Sequence, residues 1–139
     1  MPVPRVLVGD SSKAMLAFWE ILLESQFDVV GALTDGEGLV AVAKEQAPDL
    51  VVLDFSLSFL DGLAIARRLQ EARPDCKVVF FTSHEDFAYA HAAFDVGAKG
   101  YLVKQLTVDL GHYLGRVLGG ERVCCPESLW DQIQRERGQ

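Results

Sequence analysis

Three short stretches of this chain are apolar at every position: Val6-Leu7-Val8, Leu50-Val51-Val52-Leu53 and Val78-Val79-Phe80-Phe81. A strand with one face in water alternates apolar and polar residues, so an unbroken apolar strand belongs in a sheet covered on both faces, as in a parallel sheet flanked by helices. Around these stretches the β-rich runs extend over Arg5–Gly9, Leu50–Leu53 and Lys77–Thr82; Phe27–Leu33 makes a further run, and Gly100–Val103 a weaker one.

Segments with helical spacing separate the runs. Met15, Trp19, Leu22 and Leu23 recur at steps of three and four, as do Leu106, Leu110, Leu114, Val117 and Leu118. Leu39, Val42 and Ala43 mark a second helix, Leu63, Ala66 and Leu69 a third, and Phe87, Ala90 and Phe94 a fourth. Asp61-Gly62 opens the third helix, Arg73-Pro74-Asp75 closes it, and Gly97 follows the fourth. Strand and helix in alternation imply an open α/β sheet with right-handed crossovers. The expected fold is a flavodoxin-like, doubly wound, five-stranded parallel sheet of order 2-1-3-4-5, followed by a short C-terminal helix.

The chain's 139 residues suit one ordinary domain. A formal net charge of −7 argues against direct nucleic-acid binding, which needs clustered Lys and Arg. No apolar run approaches the length of a membrane span, and the N-terminus lacks the parts of a signal peptide, so a cytoplasmic location without membrane contact is expected. The three cysteines have neither a disulfide framework nor zinc-finger spacing, and Cys76 reads as an apolar filler beside a strand.

Ligands of open α/β sheets bind beyond the carboxyl ends of the strands, where the strand order reverses. There the first run ends Gly9-Asp10-Ser11, the third ends Asp54-Phe55-Ser56, the fourth ends Thr82-Ser83, and Lys104 follows the fifth. Asp10 and Asp54 would lie side by side, and two facing carboxylates call for a hard cation such as Mg²⁺. Lys104 adds an ammonium and Thr82 a hydroxyl able to hold phosphoryl oxygens, and an ionised Asp can attack phosphorus to form an acyl phosphate. Taken singly, Asp10 and Ser11 also suit a helix N-cap and Asp61 a turn. Trp19 and Phe94 read as core, His84 as a solvated loop residue, and His91 and His112 carry no metal-ligand spacing.

From Arg5 to Gly120 the sequence resembles the receiver domain of two-component response regulators. The segment Val51-Val52-Leu53-Asp54-Phe55-Ser56-Leu57-Ser58-Phe59-Leu60-Asp61-Gly62 is similar to the family's phosphoacceptor loop. Thr82 matches the switch hydroxyl, Tyr101 the switch aromatic, and Lys104 the lysine three residues beyond it. The resemblance implies that Asp54 accepts a phosphoryl group from a histidine kinase, a phosphotransfer protein or a small acyl phosphate. Mg²⁺ would be held by Asp10, Asp54 and the backbone carbonyl of Ser56; Lys104 and Thr82 would contact phosphoryl oxygens, and Tyr101 would turn inward as Thr82 moves.

Three positions depart from the family pattern. Ser11 stands where a second acid usually touches the metal, which lowers the charge of the cation site. Ser58 and Gln105 replace prolines, and the second change removes an expected cis peptide. Towards the C-terminus the segment Gly119-Gly120-Glu121-Arg122 followed by Cys125-Pro126-Glu127-Ser128-Leu129 resembles the linker into a LuxR-type helix-turn-helix domain. Residues 1–120 are thus expected to form the receiver and residues 121–139 a linker and helical tail. The chain is then either a receiver cut from a longer DNA-binding regulator or a stand-alone domain, and homodimerisation is compatible with both. Beside the phosphoacceptor switch stands a pseudo-receiver reading, an interaction module that does not cycle through phosphorylation, supported by Ser11. A phosphatase or flavin protein on the same scaffold lacks its sequence motifs here.

Overall fold

The computed structural model describes residues 3–55, 57, 62–104 and 109–137. The elements alternate as β1 (Arg5–Gly9), α1 (Lys13–Leu23), β2 (Asp28–Leu33), α2 (Gly36–Gln46), β3 (Leu50–Leu53), α3 (Gly62–Ala72), β4 (Lys77–Thr82), α4 (Phe87–Asp95), β5 (Gly100–Val103), α5 (Leu110–Leu118), β6 (Val123–Cys125) and α6 (Glu127–Arg137). The strands form one parallel sheet of order β2-β1-β3-β4-β5-β6. The flavodoxin-like order holds for the first five strands, but the expected strand count is corrected from five to six. Val123-Cys124-Cys125 lies along β5, pairing Gly100 with Val123, Tyr101 with Cys124 and Leu102 with Cys125. Gly100 allows this approach, since a Cβ there would come within 2.9 Å of Val123 Cγ2 and 3.1 Å of Val79 Cγ1.

Successive strand residues face opposite sides of the sheet, and two cores divide the apolar runs accordingly. Leu7, Val51, Leu53, Val78, Phe80 and Tyr101 face α2, α3, α4 and α6, whereas Val6, Val8, Leu50, Val52, Val79, Phe81 and Leu102 face α1 and α5. Helix starts are fixed by side chains that accept orphan amide protons. Ser12 caps α1 by accepting from Met15 N at 3.2 Å, Asp35 caps α2 through the amides of Glu37 and Gly38, and Asp109 caps α5 through His112 N.

One helical face, that of α1, differs from its expected position. On α1 the buried residues are Leu16, Trp19 and Leu23, while Leu22 is exposed together with Phe18 and Ile21. That helix is apolar around much of its circumference, so its spacing fits more than one face. Phe27 is buried but precedes β2, its amide closing the turn after α1 on Leu23 O. Leu106 of the expected fifth helix lies outside the described residues, as do Ser56, Ser58, Asp61 and Gln105. At the far end, α6 packs on α4 through an edge-to-face contact of Trp130 with Phe94 and an Arg137–Asp95 ion pair at 2.7 Å.

Candidate functional site

The strand ladder continues one residue beyond three strand ends, and those extra bonds aim the polar side chains. Asp10 N donates to Leu33 O, Asp54 N to Gly9 O and Lys104 N to Thr82 O, at 3.1, 3.1 and 2.7 Å. Asp10 and Asp54 therefore emerge from neighbouring strands at the point where the order reverses. Both are nearly buried, with 2% and 4% of their surface exposed.

Between them lies Lys104. Its ammonium donates to Asp10 Oδ2 and to Asp54 Oδ2, each at 2.7 Å. Burial by itself would lower the lysine pKa; hydrogen bonds and charge attraction from Asp10 and Asp54 outweigh it and hold the group above its ordinary value. The second oxygen of Asp10 accepts from Ser12 N at 2.8 Å, an Asx turn that leads into α1. The α1 cap is thus Ser12, one residue beyond the expected Asp10-Ser11 pair. Ser11 itself is exposed.

Thr82 closes β4, is fully buried, and its hydroxyl oxygen accepts from His84 N at 3.3 Å. Tyr101 lies on the other side of the sheet from α1, buried near Phe80 and Phe55, and donates its hydroxyl to His84 O at 2.7 Å. Burial, with smaller contributions from nearby acidic groups, pushes its phenol above the usual range. His84 lies in a loop and is half-buried, as much packed as solvated: it stacks on Tyr89 with ring centroids 4.5 Å apart and meets the edge of Phe55 at 6.0 Å. Contacts between loop residues and a helix carry no periodic signal, so this aromatic group is absent from the pattern of the chain. Trp19 and Phe94 are core, as expected, and Cys76 is buried with its thiol pushed up to about 12. Sequence reasoning also missed that the Trp19 and Phe81 rings lie beneath Lys104, their centroids 5.1 and 5.9 Å from its Nζ.

The expected residues Asp10, Asp54 and Lys104 are thus in direct contact, and Thr82 stands on the same rim. Their carboxylate oxygens are hard donors suited to Mg²⁺, and the ammonium that spans both shows that the pair accommodates positive charge. Among the described residues no group of three or more His, Cys, Asp or Glu side chains is gathered for a metal. No helix among them is long and apolar enough to cross a membrane.

The family model for the response regulator receiver domain matches residues 6–112. The chain belongs to the response-regulator receiver family. This receiver is 32% identical over 89 residues to the transcriptional regulatory protein DegU of Brevibacillus brevis, covering 64% of the chain and 38% of DegU. It is 31% identical over 110 residues to the transcriptional regulatory protein DesR of Bacillus subtilis, covering 78% of the chain and 54% of DesR. The receiver therefore spans about half, or less, of the length of these relatives. A solved two-component response regulator of the LuxR family from Aurantimonas is similar at a TM-score of 0.89 and 26% identity, with 99% of this chain and 100% of that one covered.

Proposed function

We propose that this receiver is a phosphorylation-controlled switch whose phosphoacceptor is Asp54. The observation that supports it most is the Lys104 ammonium held 2.7 Å from both Asp10 and Asp54 at the reversal of strand order. A carboxylate oxygen of Asp54 attacks the phosphorus of a phosphohistidine on a histidine kinase or phosphotransfer protein, or of a small acyl phosphate. The bond from phosphorus to the leaving nitrogen or oxygen breaks, the electron pair leaves with the donor, and Asp54 becomes a mixed anhydride. Lys104 holds one phosphoryl oxygen by charge and hydrogen bond. The Thr82 hydroxyl accepts from the His84 amide and retains its proton to donate to another oxygen.

Asp10, Asp54 and the carbonyl of Ser56 would hold Mg²⁺, which supplies neutralisation of the charge gathered on the transferring group. With Ser11 in place of a second acid, this site binds the cation less tightly than one with three carboxylates. Changes at Thr82 and Tyr101 would alter the surface of α4, β5 and α5, and so partner preference. Since DegU and DesR are transcriptional regulatory proteins of which this chain covers 38% and 54%, we read the receiver as the regulatory part of a cytoplasmic transcriptional regulator.

The test is intact mass spectrometry after incubation with millimolar Mg²⁺ and acetyl phosphate. One phosphoryl adduct is expected on the wild type and none on Asp54→Asn. A wild type that stays unmodified would leave the pseudo-receiver reading in its place.

A further inference from the structure

Lysine is a compact charge on a flexible four-carbon stem, yet Lys104 has only 19% of its side chain exposed and a single well-defined seat. Two of its three ammonium protons go to Asp10 and Asp54. Its underside rests on aromatic carbon: Trp19 of α1 lies 5.1 Å from Nζ and Phe81 of β4 5.9 Å, and the two rings touch each other with centroids 4.9 Å apart. Trp19 is completely buried, and its indole N–H has no hydrogen-bond partner among the described residues. On packing grounds alone an apolar residue would suit that position better, because a buried donor without a partner is a loss. The indole does bring the strongest of the aromatic faces for a cation.

We propose that Trp19 is a positioning residue for Lys104, its ring forming the fixed half of the lysine seat. The carboxylate half is not fixed. A divalent cation competes for the oxygens of Asp10 and Asp54, and phosphorylation removes the charge of the Asp54 carboxylate, so the ammonium's hold on its two partners weakens during the reaction. The aromatic floor beneath it is unchanged throughout. Trp19, with Phe81 beside it, keeps the ammonium at the rim when the carboxylates release it. This consequence rests on the phosphoacceptor reading, while the seating of Lys104 can be measured without it.

The test compares Trp19→Leu, which removes the π face, with Trp19→Phe, which keeps a smaller one. One readout is the NMR shift of the Lys104 ε-methylene protons, moved upfield by rings beneath them; the other is the rate of adduct formation with acetyl phosphate at saturating Mg²⁺. Trp19→Leu should bring the ε-methylene shift toward that of a free lysine and slow the adduct about three- to fivefold, as loss of one partly screened cation–π contact implies. Trp19→Phe should restore most of both, with the Mg²⁺ midpoint unchanged, since the indole N–H is bonded to neither carboxylate. If Trp19→Leu fails to fold, Phe81→Leu should move both readouts in the same direction by less. An ε-methylene shift unaltered in Trp19→Leu, or Trp19→Phe falling as far as Trp19→Leu, overturns the proposal and leaves Trp19 as core filling. A wild type that forms no adduct defeats the phosphoacceptor reading instead, and the shift comparison still decides the seating.

Discussion

Lys104 bonds to both acids of the rim, and removing it leaves two carboxylates facing each other in a nearly buried pocket. Breaking a buried pair by deleting one partner costs about 3 kcal/mol, so Lys104→Met should lower unfolding stability by about that amount in chelator. Millimolar Mg²⁺ should recover part of it, because the cation takes over the charge that the ammonium supplied; denaturant titrations with and without Mg²⁺ check this. At Ser11 the converse change, Ser11→Asp, restores an acid to the cation site. It should tighten Mg²⁺ by about tenfold, from the Coulomb attraction of one added charge at short range, read by a Mg²⁺ titration of NMR shifts. The residues of the rim were legible because each stands directly after an apolar run, a position that the sheet rule makes meaningful. Trp19 beneath Lys104 was not, since a periodic apolar tryptophan looks the same whether or not a cation sits on its face.

At the scale of elements, the continuous apolar runs identify β1, β3 and β4 because both faces of these strands are buried, and each finds parallel neighbours. β6 escapes such reading. Three residues are too few for a pattern, and what makes them a strand is Gly100 on a neighbour more than twenty positions earlier. The α1 face was placed partly wrong for the opposite reason, an excess of apolar residues that admits several faces. The caps offer a cleaner check of local energetics: Ser12→Ala removes the acceptor for Met15 N and should cost about 1 kcal/mol in thermal or denaturant unfolding.

At the scale of the whole molecule, several buried groups set the response to alkali. Burial pushes the Cys76 and Cys124 thiols up to about 12, and raises the Tyr101 phenol as well. Lys104 is raised too, by its two acids against the opposing effect of burial. Each group holds its proton more tightly folded than unfolded, so its contribution is fully present below its unfolded pKa and is lost as pH rises through the folded one. Stability should therefore hold up to the ordinary thiol value of 9.0 and decline from there toward 12, in unfolding experiments run across that range.

The inward Tyr101 bears on how this receiver can respond at all. Its ring is buried and its hydroxyl is bonded to His84 O. A ligand shifts a conformational equilibrium only by its differential affinity for the two states, so any outward Tyr101 would have to give up both this burial and this hydrogen bond. Since His84 also donates its amide to the Thr82 hydroxyl, the tyrosine is latched to the loop that follows Thr82, and movement of one would be felt by the other.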